Sequence, residues 1–440
     1  MVDGSSLLLD LDGVVVESVR RLEDGTRLVG VLTAPEWVGI CPECGERSSR
    51  SKGWVLTSPR DVQVGPDRPV LRWRKRKWLC PSAVCERTVF TESVPGVPAR
   101  ARVTPRAKAL MAAAVLDEDR SVAAVAGQYR CGWHTVHDKV IAVAEEVLET
   151  ESVPVAVLGI DETRRGKAKW EYDPVLGRRV WVDRWDTGLV DITGDQGLLA
   201  QVNGRSSGAV VDWLATQDPT WRAQITHVAI DLCPAYARAA REALPQAIVI
   251  ADRFHLVKKA NDMVDAVRRR VTLAQRGRRG RKADVEWINR RRLLRGAERL
   301  TEQQRINLFA KLLAADPNED IAAAWIAKEQ LRELLSCAER GGLRYEIHTA
   351  LDRFYRFCAA CKVPEVIRLA RTVAAWQGPI IAALQTGLTN ARTEGYNRIV
   401  KHIGRIAFGF RNPDNQRRRV RWACTRRSRR VTPSRHQCHC

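Results

Sequence analysis

Two stretches of this chain decide its fold: VPVAVLGID at residues 153–161 and ITHVAID at residues 225–231. Each is an apolar run rich in β-branched residues that ends in an aspartate, a pattern typical of a buried strand followed by a turn. The neighbouring segments extend the pattern to β-β-β-α-β-α-β. They are RRVWVDRWDTGLVDITG as a strand pair, SSGAVVDWLATQ as a helix, YARAAREALP as a helix and QAIVIADRF as a strand.

This order of elements is that of an RNase H-like fold, in which the first and fourth strands are neighbours in one sheet. Asp161 and Asp231 would then lie side by side at adjacent strand ends, although 70 positions separate them in the sequence. Glu162 follows Asp161 directly, but successive strand residues point to opposite faces, so only one of the two can enter a shared site. We favour Asp161 because it ends the apolar run.

A third acid, Glu394, lies far downstream in the helix-like stretch TNARTEGYNRIVK at residues 389–401. Asn390, Asn397 and Arg398 are three or four positions from it and share its helix face. Three carboxylates that meet would repel one another, whereas hard divalent cations such as Mg²⁺ prefer oxygen ligands. The alternative for this segment alone is a solvated amphipathic helix.

IVIADRFHLVKK at residues 248–259 holds the next candidate site residues, Asp252 and His255. They follow the last strand of the pattern, where they could contact DNA, support the acids or, for His255, take part in proton transfer. A structural capping network is the competing interpretation. We class Asp252 and His255 as accessory residues, together with Asn390 and Asn397.

Four of the twelve cysteines form a convincing set. In CPECG two residues separate Cys41 from Cys44, and in WLCPSAVC four residues separate Cys80 from Cys85, so each pair can direct two thiolates at one tetrahedral cation. This predicts a structural zinc site; buried free cysteines are the alternative. Cys358 and Cys361 lie in a helical pattern and are assigned to the core. Cys438 and Cys440, which flank His439 at the chain end, show no partner pair.

SVAAVAGQYRCGWHTVHDKV at residues 121–140 predicts a helix, a short turn and a second helix, which is a helix-turn-helix signature. Ser121 can cap the first of these, and Thr104 with Pro105 can begin a preceding helix. An ordinary helical hairpin is the alternative. The second helix would place five side chains near the DNA groove: Trp133, His134, Thr135, His137 and Lys139.

A net charge of +22 indicates a polyanion as partner. RPVLRWRKRKW at 68–78 reads as a strand whose basic side chains, interleaved with Trp73 and Trp78, suit a DNA backbone, although a solvated strand face fits as well. QRGRRGRK at 275–282 reads as a loop too charged and glycine-rich to pack. The DNA-contact candidates in these segments are Arg74, Arg76, Lys77, Arg278, Arg279 and Arg281. No apolar run approaches the ~18 residues of a membrane span, and the N-terminus does not resemble a signal peptide, so we expect a cytoplasmic protein.

Taken together, CPECG, WLCPSAVCERTVF, the helix-turn-helix, GIDE, ADRFH and TEGYNRIVK resemble the ISL3 family of bacterial insertion-sequence transposases, over roughly residues 10–425. The resemblance implies a DDE transposase in which Asp161, Asp231 and Glu394 form the acidic triad. It further implies two Mg²⁺ (or Mn²⁺) ions at the triad, a structural Zn²⁺ at the four cysteines, and DNA cleavage and strand transfer at terminal inverted repeats. A homodimer or larger assembly on DNA is expected, because two element ends must be held together. The expected location is the nucleoid of a bacterial cell.

The resulting fold class is multidomain α+β: an N-terminal zinc ribbon, a helical helix-turn-helix domain, and an RNase H-like α/β catalytic domain with a large helical insertion. Two other functions stay open, a non-catalytic DNA-binding regulator derived from a transposase and an RNase H-like nuclease without strand transfer. After Arg421 the sequence is highly basic and lacks an evident core pattern, as in a DNA-binding tail or a divergent end, which leaves the activity of this copy open. The expected segments are 1–98 (zinc ribbon), 99–150 (helix-turn-helix), 151–264 (first part of the catalytic core), 265–386 (helical insertion), 387–412 (last core helix) and 413–440 (basic tail).

Overall fold

The computed structural model describes residues 4–64, 69–148, 153–312 and 314–429. The chain forms two compact units. Of the described residues, the first unit comprises those up to 148 and Ile403–Ala423, and the second comprises those from 153 to His402 and from Cys424 to 429. Each unit is therefore built from segments that are distant in the sequence.

A five-stranded sheet opens the first unit, preceded by the short helix α1 (Gly4–Leu9). Its strands are β1 (Val14–Arg21), β2 (Arg27–Thr33), β3 (Ser51–Thr57), β4 (Val70–Leu79) and β5 (Val89–Thr91), in the order β1-β2-β4-β3 with β5 also paired to β4. Side chains along β4 alternate between buried and exposed, as expected for a sheet with one covered face. Trp73 and Trp78 belong to the buried set, so the interpretation that they interleave with arginines on a DNA-contacting face is wrong.

Three helices continue the first unit: α2 (Pro105–Leu116), α3 (Val122–Gln128) and α4 (Trp133–Leu148). Thr104 and Ser121 cap α2 and α3 as expected, each accepting a hydrogen bond from a backbone N–H of the first turn. A four-residue turn joins α3 to α4. Helix, turn and helix therefore follow the sequence-based prediction closely.

The C-terminal helix α17 (Pro413–Arg429) adds to this helical cluster. Trp422 is buried among α2–α4 and donates a hydrogen bond to Asp117, while Arg419 donates to the carbonyl oxygens of Val115 and Arg120. The expectation that the sequence after Arg421 lacks a core pattern is thus wrong for Trp422, Ala423, Cys424 and Thr425, which are buried. The many arginines of α17 hid its helical pattern, because only a narrow face of the helix is apolar and buried. The cysteines and histidine at 438–440 lie outside the described residues.

The second unit is built on a five-stranded sheet of order β10-β9-β6-β11-β12. Strand β6 is antiparallel to β9 and parallel to β11, and β11 is parallel to β12. Helices α5, α6 and α7 cover one apolar face of this sheet. The elements are β6 (Val157–Arg164), β9 (Trp185–Asp191), β10 (Leu198–Asn203), α5 (Ser207–Ala215), α6 (Pro219–Ala223), β11 (His227–Ile230), α7 (Pro234–Ala243) and β12 (Ile248–Ala251).

Between β6 and β9 the chain forms a separate two-stranded hairpin of β7 (Lys169–Asp173) and β8 (Arg178–Val182). The expected strand pair in 178–194 is therefore wrong: its first half pairs with β7, and its second half, β9, pairs with β6. The third strand of the main sheet is β10, which lies downstream of that segment. Alternation alone identified strands there but could not assign their partners.

Helices occupy the chain from α8 to α15, as expected for the segment after β12. They pack around one large apolar cluster that includes Leu331, Phe354 and Cys358. The helices are α8 (Arg253–Arg276), α9 (Val285–Ile288), α10 (Arg290–Leu293), α11 (Glu302–Leu312), α12 (Asp320–Ser336), α13 (Arg344–Ala360), α14 (Pro364–Ala375) and α15 (Gln377–Thr386), followed by α16 (Ala391–Ile406). Among the described residues, no helix is long and apolar enough to cross a membrane.

Candidate metal and nucleic-acid sites

Two aspartates meet in the second unit's main sheet, where β11 ends at Ile230; β6 continues to Arg164, so the expectation that Asp161 ends its strand is wrong. Because β6 and β11 run parallel with Ile160 paired to Ile230, the residues that follow, Asp161 and Asp231, are direct neighbours. Asp161 is 8% exposed. Burial first, and the nearby Asp231 carboxylate second, raise the pKa of Asp161 to about 7. A bound cation would stabilise the two carboxylates, because it would offset both the burial of Asp161 and its repulsion by Asp231.

His255 joins Asp231 to Asp252 from the first turn of α8. Its Nε2 lies 3.0 Å from an Asp231 carboxylate oxygen, and its Nδ1 lies 3.0 Å from an Asp252 carboxylate oxygen. These two hydrogen bonds raise the pKa of His255 to about 10, so the imidazolium is the form present at neutral pH. Of the accessory candidates, His255 therefore contacts Asp231 directly, and Asp252 is joined to Asp231 through His255.

The donor atoms of Asp231, Asp252 and His255 all lie within 4.8 Å of one another. The second oxygen of Asp231, Oδ1, is buried without a hydrogen-bond partner among the described residues. An orphaned carboxylate oxygen beside Asp161 fits a divalent cation, because hard cations replace missing hydrogen bonds with oxygen coordination. The carboxylate oxygens of Asp161 and Asp231 thus suit Mg²⁺ or Mn²⁺, whereas His255, as an imidazolium, supports Asp231 and is not a ligand.

Helix α16 packs its first two turns against β6. Asn397 donates a 2.6 Å hydrogen bond to Asp161 Oδ2 and accepts one from Thr163, while Asn390 donates to the Ile160 carbonyl oxygen. Gly159 makes this approach possible, since a Cβ there would lie 2.9 Å from Asn390 Oδ1. Sequence reasoning named both asparagines but missed Thr163, whose threonine side chain carried no distinguishing pattern.

Glu394 lies between Asn390 and Asn397 on this helix and in its first turn, where the helix dipole favours a carboxylate. The helix spacing brings it to the side of α16 that contacts β6. It does not belong to the cluster of donor atoms formed by Asp231, Asp252 and His255. Its role as a ligand beside Asp161 and Asp231 stays a prediction.

Glu162 occupies the opposite face of β6 from Asp161, as the strand alternation predicts. Its charge contributes to the raised pKa of Tyr236, a residue of α7 whose pKa is raised chiefly by burial. Tyr236 in turn shares a hydrogen bond with Thr187 of β9. Glu162 thus faces the helices and not the site of Asp231.

Four thiols gather in the first unit, at the turn after β2 and the turn after β4. All Sγ atoms of the cluster lie within 4.8 Å of one another, and those of Cys44 and Cys80 are 3.6 Å apart. Tetrahedral zinc with Zn–S bonds of about 2.3 Å requires Sγ atoms about 3.8 Å apart, so the arrangement fits this ion. The cluster consists of Cys41, Cys44, Cys80 and Cys85, whereas Cys358 is buried in the helical core as expected.

The second helix of the helix-turn-helix exposes Trp133 and His134 at its N-terminal end, and Trp133 stacks on His137 with ring centroids 4.3 Å apart. These three side chains line a cavity of about 490 Å³ together with residues 407–419, which include Arg418. Burial lowers the pKa of His137. Thr135 and Lys139, the other two groove candidates, are half-buried.

The strand β4 presents Arg74 as an exposed side chain, and Arg76 and Lys77 as half-buried ones. Arg74 and Arg76 both stack over the exposed ring of Trp54 on β3, at 5.0 and 4.4 Å from its centroid. Trp54 was missed because its strand, SKGWVLT, carries no basic residue next to it. Trp54 is therefore the exposed aromatic partner of Arg74 and Arg76, while the buried Trp73 and Trp78 lie against Lys75 and Arg76.

The basic loop after α8 is ordered by two acids of the segment that follows. Arg278 forms hydrogen bonds with both carboxylate oxygens of Asp284, and Arg276 does the same with Glu286. The expectation that this loop is too charged to pack is wrong, because the balancing acids lie only a few residues downstream. Arg279 and Arg281 remain exposed.

Comparison with known proteins assigns these features to one class, the transposases. A family model described as a transposase matches residues 158–420. Models described as the helix-turn-helix domain of transposase family ISL3 and as the zinc-finger of transposase IS204/IS1001/IS1096/IS1165 match residues 92–144 and 37–85. The chain belongs to the ISL3 family of transposases, which confirms the resemblance drawn from its sequence.

Individual relatives carry the same description. The chain is 26% identical over 411 residues to the transposase for insertion sequence element IS1001 of Bordetella parapertussis, covering 91% of this chain and 93% of that protein. It is 35% identical over 211 residues to the transposase for insertion sequence element IS1557 of Mycobacterium tuberculosis, covering 43% of this chain. That match spans 46%, or about half, of the relative's length. Among solved structures, the Drosophila P element transposase strand transfer complex matches with a TM-score of 0.37 and 10% identity over 74% of this chain and 92% of that chain.

Proposed function

We propose that this chain is a DNA transposase that binds the terminal inverted repeats of an insertion sequence and catalyses Mg²⁺-dependent strand cleavage and strand transfer. The observation that carries the proposal is the parallel pairing of β6 with β11, which makes Asp161 and Asp231 neighbours although 70 residues separate them. Supporting this, the second unit's sheet has the strand order and directions of an RNase H-like sheet.

In the proposed site, Asp161, Asp231 and Glu394 would hold two divalent cations. When bound, these ions supply charge stabilisation to the attacking and leaving oxygens of the reacting phosphate. Asn397 fixes the rotamer of Asp161 by its hydrogen bond, and His255 fixes that of Asp231. Asp252 orients His255 and also accepts a hydrogen bond from the backbone N–H of Asn390, which ties the start of α16 to the same cluster. Such outer contacts hold ligands in one geometry.

In the first unit, Cys41, Cys44, Cys80 and Cys85 are proposed to hold a structural Zn²⁺. The ion would fix the turns that flank β3 and β4, and with them the surface of Arg74, Arg76 and Lys77. The exposed N-terminal end of α4 is proposed to read the groove through its five candidate side chains, while Arg279 and Arg281 of the second unit contact phosphates. A homodimer or larger assembly on DNA follows from the need to hold two element ends.

Strand joining is the experiment that tests this function. Precleaved DNA carrying the ends that flank this gene, supplied with a plasmid target and Mg²⁺, should be joined to the target by the purified chain. Ca²⁺ in place of Mg²⁺ should support binding without joining. Cleavage without joining would indicate a nuclease, and binding of the ends with neither reaction would indicate a DNA-binding regulator.

A further inference from the structure

The hairpin β7–β8 belongs neither to the main sheet of the second unit nor to its acidic site. It is inserted in the sequence between β6 and β9, which pair with each other, and its two strands pair in register from Lys169–Val182 to Asp173–Arg178. Asp173 closes the turn by accepting hydrogen bonds from the backbone N–H groups of Val175 and Leu176. The hairpin is thus a defined element with its own turn chemistry.

One face of this hairpin is aromatic and open. Trp170 lies directly opposite Trp181 and Tyr172 opposite Arg179, so the four side chains share a face. The two tryptophan rings meet edge to face with centroids 5.6 Å apart. Trp170, Trp181 and Tyr172 are 59%, 58% and 66% exposed. Three large rings thus stand together with most of their area in solvent.

No hydrophobic cluster of the described residues includes a hairpin side chain. A two-stranded hairpin by itself is marginally stable in water, and a contiguous exposed aromatic patch marks a binding surface more often than it marks an idle one. The hairpin therefore presents its aromatic face to a partner.

Charge identifies the chemistry of that partner. Residues 164–184 contain seven basic and three acidic side chains. Glu171 is paired with Lys169 and Arg184, and Asp183 with Arg164, so these two acids are neutralised within the hairpin and its base. Arg178 and Arg179 remain exposed on β8. The exposed arginines beside the three rings favour a polyanion as the partner of this hairpin face, because an apolar protein surface would leave their charges unpaired.

The hairpin grows from the two strands that carry the acidic site. Arg164 and Trp185 form the last pair of the main sheet before the hairpin, and Asp161 is three residues back along β6. At about 3.3 Å per residue, the base of the hairpin lies on the order of 10 Å from Asp161. Trp185 at this base has Arg164 and Arg205 stacked over its ring, at 5.5 and 5.0 Å. A DNA strand at the acids would therefore continue along the hairpin.

We propose that the hairpin captures unpaired bases at the DNA end, with Trp170 and Trp181 stacking on the bases and Arg178 and Arg179 contacting the backbone; this rests on the proposed function at the acidic site. Aromatic rings stack on any base once it has left the duplex, whereas a fully paired duplex offers them only its end. The hairpin thus favours DNA whose strands are separated beside the reacting phosphate.

Binding to two matched probes tests the proposal. One is a 30-base-pair duplex and the other is the same DNA with six unpaired nucleotides at one end, both measured by fluorescence anisotropy without Mg²⁺. The native chain should bind the unpaired-end probe about tenfold more tightly. The double variant Trp170→Ala/Trp181→Ala should lose this preference and keep its affinity for the duplex. Tyr345→Ala, which removes an exposed ring from α13, should behave like the native chain.

Replacement by phenylalanine separates stacking from folding. Trp170→Phe/Trp181→Phe keeps two aromatic cross-strand partners and should retain most of the preference for unpaired ends. Equal affinity of the native chain for both probes, or equal loss for both probes in the alanine variant, would overturn the proposal. So would a loss of self-association in the alanine variant without DNA, since that outcome makes the face a contact between copies of the chain. If the native chain joins strands but binds both probes with equal affinity, the proposed role of the hairpin is wrong and the proposed function is supported.

Discussion

The carboxylate of Asp161 combines deep burial with a negatively charged neighbour. Both effects favour the protonated form, and the raised pKa of Asp161, about 7, expresses their sum. A group whose pKa is higher in the folded than in the unfolded chain weakens folding as pH rises between the two values. The acidic site therefore costs stability at the pH at which it would bind a cation, as is common for functional sites.

Asp161→Asn should consequently stabilise the chain, and more so at higher pH. The asparagine oxygen can still accept the hydrogen bond of Asn397, but it carries no charge. In buffer without Mg²⁺, the gain in unfolding free energy should be about 2 kcal/mol larger at pH 8.5 than at pH 5. Thermal unfolding at the two pH values measures this, with the exposed Asp195→Asn as the control. An equal effect at both pH values would show that Asp161 ionises normally.

Asn397 should act by positioning Asp161. Asn397→Ala removes the 2.6 Å hydrogen bond and should lower the rate of Mg²⁺-dependent DNA cleavage about 10- to 100-fold, the usual cost of losing an outer contact to a metal ligand. Affinity for DNA in Ca²⁺ should stay unchanged. Arg398→Ala, which changes the exposed neighbour on α16, is the control. At saturating DNA it should cleave at close to the native rate. A normal rate in Asn397→Ala would remove the asparagine from the site.

At the scale of elements, the zinc ribbon depends on two turns that carry two cysteines each. Cys80→Ser should abolish the binding of one zinc equivalent, because a closed site needs all four thiolates. Metal analysis of the purified chain measures the zinc content, and loss of binding to end DNA should accompany loss of the ion. Cys131→Ser, outside the cluster, is the matched control. A full zinc equivalent in Cys80→Ser would contradict the four-thiol site.

Helix α17 should stabilise the helix-turn-helix although about 265 residues separate it from α4 in the chain. Trp422→Ala removes a buried ring and its hydrogen bond to Asp117, at a cost of about 3 kcal/mol. Amide hydrogen exchange in α2–α4 should then accelerate by about two orders of magnitude, whereas Asp414→Ala, exposed on the same helix, should have little effect. Unchanged exchange in Trp422→Ala would mean that α2–α4 do not need α17.

Sequence patterns predicted these elements unevenly. The caps at Thr104 and Ser121, the cysteine pairs and the apolar strands before Asp161 and Asp231 were readable, because each depends on neighbouring residues. The continuation of β6 past Asp161 to Arg164 was not readable, since the apolar run stops at Ile160. Strand partners were not readable: β8 was joined to β9, because alternation does not record which strand lies alongside. The burial of α17 was missed for the same reason, since an arginine-rich helix shows its apolar face only when its partner helices are known.

For the molecule as a whole, the acids of the candidate site come from three distant parts of the chain. The sheet register accounts for the closeness of Asp161 and Asp231, and could be anticipated from the order of strands. The position of α16 depends on how the long helical segment α8–α15 folds, which no local pattern encodes. Asn390 and Asn397, through their contacts with β6, are the residues that fix it.

The central claim is that Asp161, Asp231 and Glu394 act together in Mg²⁺-dependent DNA cleavage. Single-turnover cleavage of DNA carrying the element's end tests it most directly, with Asp161→Asn, Asp231→Asn and Glu394→Gln each compared with Glu162→Gln. We expect the cleavage rate of each of the three variants to fall by at least about 1,000-fold, since removing even one group that stabilises transition-state charge lowers a rate by up to about 1,000-fold. Glu162→Gln, the adjacent acid on the opposite face of β6, should cleave at close to the native rate. Near-native cleavage by any of the three, or an equal loss in Glu162→Gln, would contradict the account.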